Sequence, residues 1–230
     1  MIKRGKKYKK ALEVLGGKQL FSLQEGIAKV KQAAYARFDE SVRIDVNLGI
    51  DPLKGEQAVR GSIVLPHGTG KKLRIAVFAK GEQADQALAA GADYVGAEDL
   101  IKKVESGWLD FECSVATPDM MVALGKIAKI LGPRGLLPNK KLGTVTLDVA
   151  GTIGELKKGL VFFKNDKAGS VHFLCGKVSF SEQFLYDNIS AFMKALNAVK
   201  PSSSKGIFIK KMVISSAMGP GVRISVDGSQ

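Results

Sequence analysis

Between Ser41 and Ile50, apolar and polar residues alternate without a break. Val42, Ile44, Val46, Leu48 and Ile50 fall on one side, and Arg43, Asp45, Asn47 and Gly49 on the other. Period two predicts a strand with one face in a core and one in water. Just upstream, Leu23, Ile27, Val30 and Ala34 recur at helical spacing. Ser22-Leu23-Gln24-Glu25 opens that run as a capping box. Asp51-Pro52-Leu53-Lys54-Gly55 predicts a turn, with residues 59–65 returning as a strand.

The style changes after Pro66. Residues 73–79 are nearly continuously apolar, as in a strand covered on both faces. Then come a helical stretch over 82–90, a short strand at 93–95, a helix over 99–105 and a strand over 109–115. Thr117-Pro118-Asp119 predicts a helix start, with Thr as N-cap and Pro in the first turn, running to Leu131 and stopping at Gly132-Pro133. Alternating strands and helices predict a parallel α/β unit.

The first style returns beyond Gly159. Residues 160–164 and 170–177 flank the turn Asn165-Asp166-Lys167-Ala168-Gly169, which predicts a hairpin. Ser179-Phe180-Ser181-Glu182 predicts a second capping box, opening a helix to Val199 with Leu185, Ile189, Phe192 and Leu196 on one face. Residues 206–216 and 222–226 read as final strands. The expected architecture is a discontinuous α+β domain, residues 1–67 and 160–230, with a Rossmann-like three-layer α/β domain, residues 68–159, inserted into it. Gly68, Gly70 and Gly159 would form the hinge.

Charge gives this division a functional meaning. The 230 residues carry 35 Lys and Arg against 22 Asp and Glu, a net charge of +13. Residues 1–67 hold 13 basic and 7 acidic side chains and 160–230 hold 9 and 4, so the discontinuous domain carries +11. The inserted segment, with 13 and 11, carries +2. Such a surplus implies a polyanionic partner, bound by the discontinuous domain.

Composition removes other classes. A hydrophobic content of 45% excludes global disorder. No apolar run is long enough to cross a membrane, and the basic first ten residues lack the apolar core of a signal peptide. Cys113 and Cys175, with only His67 and His172 as further soft ligands, form neither a metal set nor a disulfide framework. Both cysteines are expected as buried hydrophobes in a reducing compartment.

Enzymatic motifs are incomplete. A phosphate loop over His67-Gly68-Thr69-Gly70-Lys71-Lys72 fails at both ends, because position 65 is Leu and position 72 is Lys. Phe78-Ala79-Lys80-Gly81-Glu82 has one glycine where a dinucleotide fingerprint needs three. A nucleotide-dependent enzyme using the α/β middle is therefore the alternative function rather than the leading one. Gly132-Pro133-Arg134-Gly135-Leu136-Leu137-Pro138-Asn139-Lys140-Lys141 reads either as a long connection or as a basic finger touching RNA. Arg37-Phe38-Asp39-Glu40-Ser41 places an aromatic between a helix and a strand, either exposed or capping the core. Met218-Gly219-Pro220-Gly221 is open enough for another backbone to approach.

Several of these motifs together resemble a known family. They are Phe38-Asp39-Glu40-Ser41, Leu65-Pro66-His67-Gly68-Thr69-Gly70-Lys71, Ala90-Gly91-Ala92-Asp93-Tyr94-Val95-Gly96, Ala116-Thr117-Pro118-Asp119, the 132–139 loop, Asn165-Asp166-Lys167-Ala168-Gly169 and Met218-Gly219-Pro220. In order along the whole chain, they are similar to the family of the first-numbered large-subunit ribosomal protein, in its bacterial form. That family builds the mobile stalk beside the tRNA exit site.

The resemblance implies a non-enzymatic, cytoplasmic ribosomal protein, monomeric within the ribosome, without cofactor, metal or membrane contact. Its implied partners are large-subunit ribosomal RNA, exit-site tRNA whose release it assists, and its own mRNA, whose translation it represses. Carried onto this chain, the RNA-contacting residues are Arg37, Phe38, Ser41, Ser216, Met218 and Gly219. Lys164, Asn165, Lys167 and Gly169 of the hairpin have weaker support. Where the family usually has Thr before Met-Gly, this chain has Ala217, so either Ser216 substitutes for the missing hydroxyl or that contact is lost.

Overall fold

The computed structural model describes residues 5–17, 20–204 and 206–226. They fall into two compact units, one within residues 1–70 and 161–230 and the other within 71–160. The Lys-rich start forms helix α1 (Lys6–Glu13) from residue 6 onward; the first four residues lie outside the described ones. Helix α2 (Leu23–Ala33) opens on the expected capping box: Ser22 Oγ accepts from the Glu25 backbone N–H while Glu25 accepts from that of Ser22. The alternating run becomes β1 (Ser41–Leu48), whose Val42, Ile44, Val46 and Leu48 are all buried.

The next strand, β2 (Arg60–Val64), does not return alongside β1. It pairs with β6 (Leu160–Lys164) in a separate two-stranded sheet. The four-stranded sheet has the order β7-β1-β8-β9, with β7 (Ser170–Lys177), β8 (Ile209–Ser216) and β9 (Val222–Ile224). All its ladders are antiparallel. The expected 160–177 hairpin is therefore corrected. Its two arms belong to different sheets and meet at a single bridge, Asn165 with Val171. Turn chemistry makes the chain reverse but does not choose the partner strand; burial of each strand's apolar face does.

Helices α2 and α8 (Glu182–Ala198) pack on one face of the four-stranded sheet. There Phe192 stacks on Phe173 with ring centroids 4.1 Å apart and meets Phe163 edge-on at 5.5 Å. The cap of α8 is Ser181, which accepts from the Phe184 N–H, rather than Ser179. Ser179 is used elsewhere, as described below.

The second unit is a parallel sheet of order β4-β3-β5, built from β3 (Ile75–Phe78), β4 (Tyr94–Gly96) and β5 (Cys113–Ala116). Helices α3 (Glu82–Ala89) and α7 (Val149–Lys158) pack together on one side. Helix α4 (Glu98–Glu105) with the short α5 (Met121–Leu124) and α6 (Ala128–Leu131) forms the other layer. Ala76, Phe78 and Ala116 face the α4 side, in one cluster with Leu100, Val104, Leu124 and Ile127. The predicted helix 117–131 is interrupted by tight turns at Pro118–Met120 and Gly125–Ile127, the second starting at a residue that disfavours a regular helix. Thr117 is buried and does not cap with its side chain.

Candidate nucleic-acid interface

The loop between α2 and β1 presents a large aromatic to water. Phe38 is 59% exposed, and Arg37 beside it is exposed too. The following two acids hold the loop in place. Asp39 accepts from both the N–H and the hydroxyl of Ser179, at 3.1 and 2.8 Å. Its carbonyl accepts from Lys177 Nζ, which also reaches Ser41 Oγ at 3.1 Å.

Glu40 is 2% exposed. Its Oε1 accepts from the N–H groups of Tyr35 and Ala36 (3.1 and 2.8 Å), and its Oε2 from that of Met218 (3.0 Å). Burial pushes this carboxyl up. The hydrogen bonds from the Ser216 hydroxyl and from the N–H groups of Met218, Ala36 and Tyr35 outweigh burial and hold its pKa below the ordinary value. A depressed folded-state pKa contributes stability that is present above the ordinary glutamate range and lost as pH falls through the depressed value.

The second loop, between β8 and β9, lies alongside because Val42 of β1 pairs with Ser216 of β8. Met218 is half exposed, and its carbonyl accepts from Tyr35 Oη at 2.8 Å. Gly219 donates its N–H to Ser216 Oγ at 3.1 Å, and a Cβ at position 219 would run into that hydroxyl. Ser216 itself is buried, with its hydroxyl turned inward to Glu40 and Gly219. Of the two alternatives for the missing Thr hydroxyl, this burial favours loss of the contact, with Ser216 bracing the loop. Ala217 is exposed and brings no hydroxyl.

Arg37, Phe38, Ser41, Met218 and Gly219 thus gather at one end of β1. The turn with Lys164, Asn165, Lys167 and Gly169 lies at the other, since Asn47 pairs with Ser170 while Ser41 pairs with Lys177. Six residues of strand put the two groups about 20 Å apart. Lys164 and Lys167 are exposed. Asn165 turns inward, its Oδ1 accepting from the Val59 N–H at 2.9 Å. Gly169 is buried at φ 76°, and Asp166 closes the turn by accepting from the N–H groups of Ala168 and Ser170.

Between the two groups runs the sheet face opposite α2 and α8. It carries Arg43, Asp45, Lys211, His172 and Arg223, which were not singled out as site residues from sequence. The alternation through β1 already put Arg43, Asp45 and Asn47 on the wet face; only strand pairing adds His172, opposite Asp45, and Lys211, opposite Asn47. His172 Nδ1 lies 2.7 Å from Asp45, and Nε2 lies 3.4 Å from Asp166. The Asp45 hydrogen bond, reinforced by Asp166, raises the His172 pKa against partial burial. Arg43 Nε lies 3.5 Å from Ser215 Oγ and 3.8 Å from Asp45. The face is elongated and mainly positive, with an exposed aromatic and thioether at one end. It suits a phosphate backbone crossing it and a shaped nucleic acid seated at the Phe38 end.

The glycines named as a hinge have positive φ: 61° at Gly68, 69° at Gly70 and 107° at Gly159. The first crossing is pinned up to Gly70. Buried Asn188 accepts from the His67 N–H and donates to the carbonyls of Gly68 and Cys175, and a Cβ on Gly70 would press on Lys177 and the Phe180 ring. Gly159 ends α7 in the left-handed conformation. His67 stacks on Phe184 and pairs with Asp187 at 3.1 Å.

The 132–141 loop is tied to its own unit. Leu136 and Leu137 tuck against the core, the Leu136 carbonyl accepts from Ser114 Oγ, and Arg134 and Lys140 stay exposed. In the β3–α3 turn, where an α/β fold would hold a phosphate, Lys80 is paired with Glu98 at 3.1 Å. Among the described residues no group of three His, Cys, Asp or Glu side chains is placed to hold a metal ion. Burial raises the Cys113 thiol to about 11, and Cys175 is raised too.

Comparison with known proteins gives a consistent answer. The family model described as the ribosomal protein L1p/L10e family matches residues 30–220. The large ribosomal subunit protein uL1 of Desulfosudis oleivorans is 51% identical over 224 residues, covering 97% of this chain and 96% of its own. Its namesake from Desulfotalea psychrophila is 50% identical over 224 residues, covering 97% and 95%.

Proposed function

The chain belongs to the ribosomal protein L1p/L10e family and is a structural constituent of the large ribosomal subunit; from that premise we propose that it binds large-subunit ribosomal RNA through the outer sheet face and the Phe38 and Met218 loops. The role is structural rather than enzymatic, exercised on the cytoplasmic ribosome. The observation that carries the RNA reading is the joint presentation of Phe38 and Met218 on two loops fastened to each other, on the segments that hold most of the positive charge. Both side chains are exposed at the same end of β1, where a partner can reach them together.

Following the family resemblance, the protein forms part of the mobile stalk and assists release of deacylated tRNA from the exit site. It also represses its own mRNA, which would offer the same RNA shape, and acts as a monomer within the ribosome. The chain crossings after Gly70 and Leu160 serve as the hinge.

Replacing Phe38 by Ala should weaken binding of the ribosomal RNA fragment about tenfold, the equivalent of about 1.4 kcal/mol, while the melting temperature stays put because the ring contributes little to the core. Filter binding and thermal unfolding measure the two. Unchanged affinity removes Phe38 from the interface.

A second expectation comes from His172. Its raised pKa means that charge, and the stability the carboxylates lend it, is fully present below the ordinary histidine value and lost as pH rises through the raised one. RNA affinity should therefore fall a few-fold as pH rises across that range, and His172→Gln should flatten the profile. An unchanged profile in the variant places the titration elsewhere.

A further inference from the structure

Among the described residues, Glu40 is the one buried carboxylate of the terminal unit. Its bonds divide neatly between the two loops proposed to meet RNA. One oxygen holds Tyr35 and Ala36, which lead into Arg37 and Phe38, and the other holds Met218; the carboxylate also accepts from the Ser216 hydroxyl, which in turn accepts from Gly219. Tyr35 Oη closes the ring by donating to the Met218 carbonyl.

We propose that Glu40 is a positioning residue for RNA recognition, a bridge that fixes the Phe38 loop and the Met218-Gly219 loop in one relative geometry before RNA arrives. The proposal rests on the RNA-binding reading above. A carboxylate is suited to this because all four donors it meets need an acceptor, and only an ionised carboxyl accepts at both oxygens. A glutamine of the same size accepts at one end only. Its NH2 group would face either the Tyr35 and Ala36 donors or the Met218 donor, so one loop must come loose. Pre-ordering two loops removes an ordering cost from the binding step.

The charge makes the test sharp. A negative side chain near a polyanion site opposes binding, so on electrostatics alone Glu40→Gln should tighten it. Positioning predicts the opposite: about tenfold weaker affinity for the ribosomal RNA fragment, with the slope of log K against log salt unchanged because no phosphate contact is lost. The effect should largely vanish when Glu40→Gln is placed on a Phe38→Ala, Met218→Ala background, whereas a merely structural role would cost the same in both. Tyr35→Phe removes only the hydroxyl bond to Met218 and should weaken binding about threefold. It decides the matter if Glu40→Gln does not fold: Tyr35→Phe binding as the unaltered protein does would overturn the bridge. Equal or tighter binding by a folded Glu40→Gln protein overturns it as well. If the unaltered protein itself fails to bind the RNA fragment, it is the underlying reading that falls.

Discussion

Raising monovalent salt from about 50 to about 200 mM should lower affinity for the large-subunit ribosomal RNA by about a thousandfold, if roughly six phosphates are neutralised. Arg37, Arg43, Lys164, Lys167, Lys211 and Arg223 are all exposed on the terminal unit, and each phosphate they meet releases condensed counterions. A plot of log K against log salt should be linear, with each contact adding about 0.7–0.9 to the steepness. Lys211→Gln should make the slope shallower by that much. Phe38→Ala and Glu40→Gln should shift the line downward and leave its slope alone. This separates groups that meet phosphate from groups that fit shape. A salt-independent affinity would remove RNA as the reason for the charge, and the α/β middle would then merit a test for thermal stabilisation by ATP or NAD.

The sequence and the structure agree where a local pattern has one physical meaning. Ser22 and Glu25 cap α2 because a side-chain oxygen three residues before a backbone donor leaves little alternative. Val42 to Leu48 bury alternate residues because period two fixes the two faces. Agreement ends where partners are chosen across the chain. The 165–169 turn reverses the chain as its residues require, yet β6 pairs with β2, a choice made by apolar faces far apart in sequence.

The site follows the same division. Phe38 and Met218 were nameable from motifs, but the reason that they stand together is Glu40, a residue that looks like one more surface acid until its burial is known. His172 was visible only as a strand residue; its two carboxylate neighbours come from β1 and the 165–169 turn. Ser216 shows the same limit from the other side. Its hydroxyl sits next to the position the family fills with Thr, but alternation along β8 sends it into the core.

Phe192→Ala should destabilise the terminal unit by about 3–5 kcal/mol, since it removes a fully buried ring and leaves a cavity between Phe173 and Phe163. Set against a total of about 5–15 kcal/mol for a typical domain, that is a large fraction. RNA affinity should then collapse at temperatures the unaltered protein tolerates, because Phe192 belongs to the same hydrophobic core as the buried residues of β1 and β8, the strands beside the Glu40 bridge. Leu124→Ala offers the contrast. It opens a comparable cavity, about 2–5 kcal/mol, in a core made only of residues from the inserted unit. Among the described residues the two cores share no side chain. Leu124→Ala should therefore lower thermal stability while RNA affinity at moderate temperature stays near that of the unaltered protein. Melting curves followed by circular dichroism, paired with filter binding at matched temperatures, distinguish the two variants. If Leu124→Ala abolishes RNA binding as Phe192→Ala does, the interface is not confined to the discontinuous unit, and the assignment of the charge to that unit fails with it.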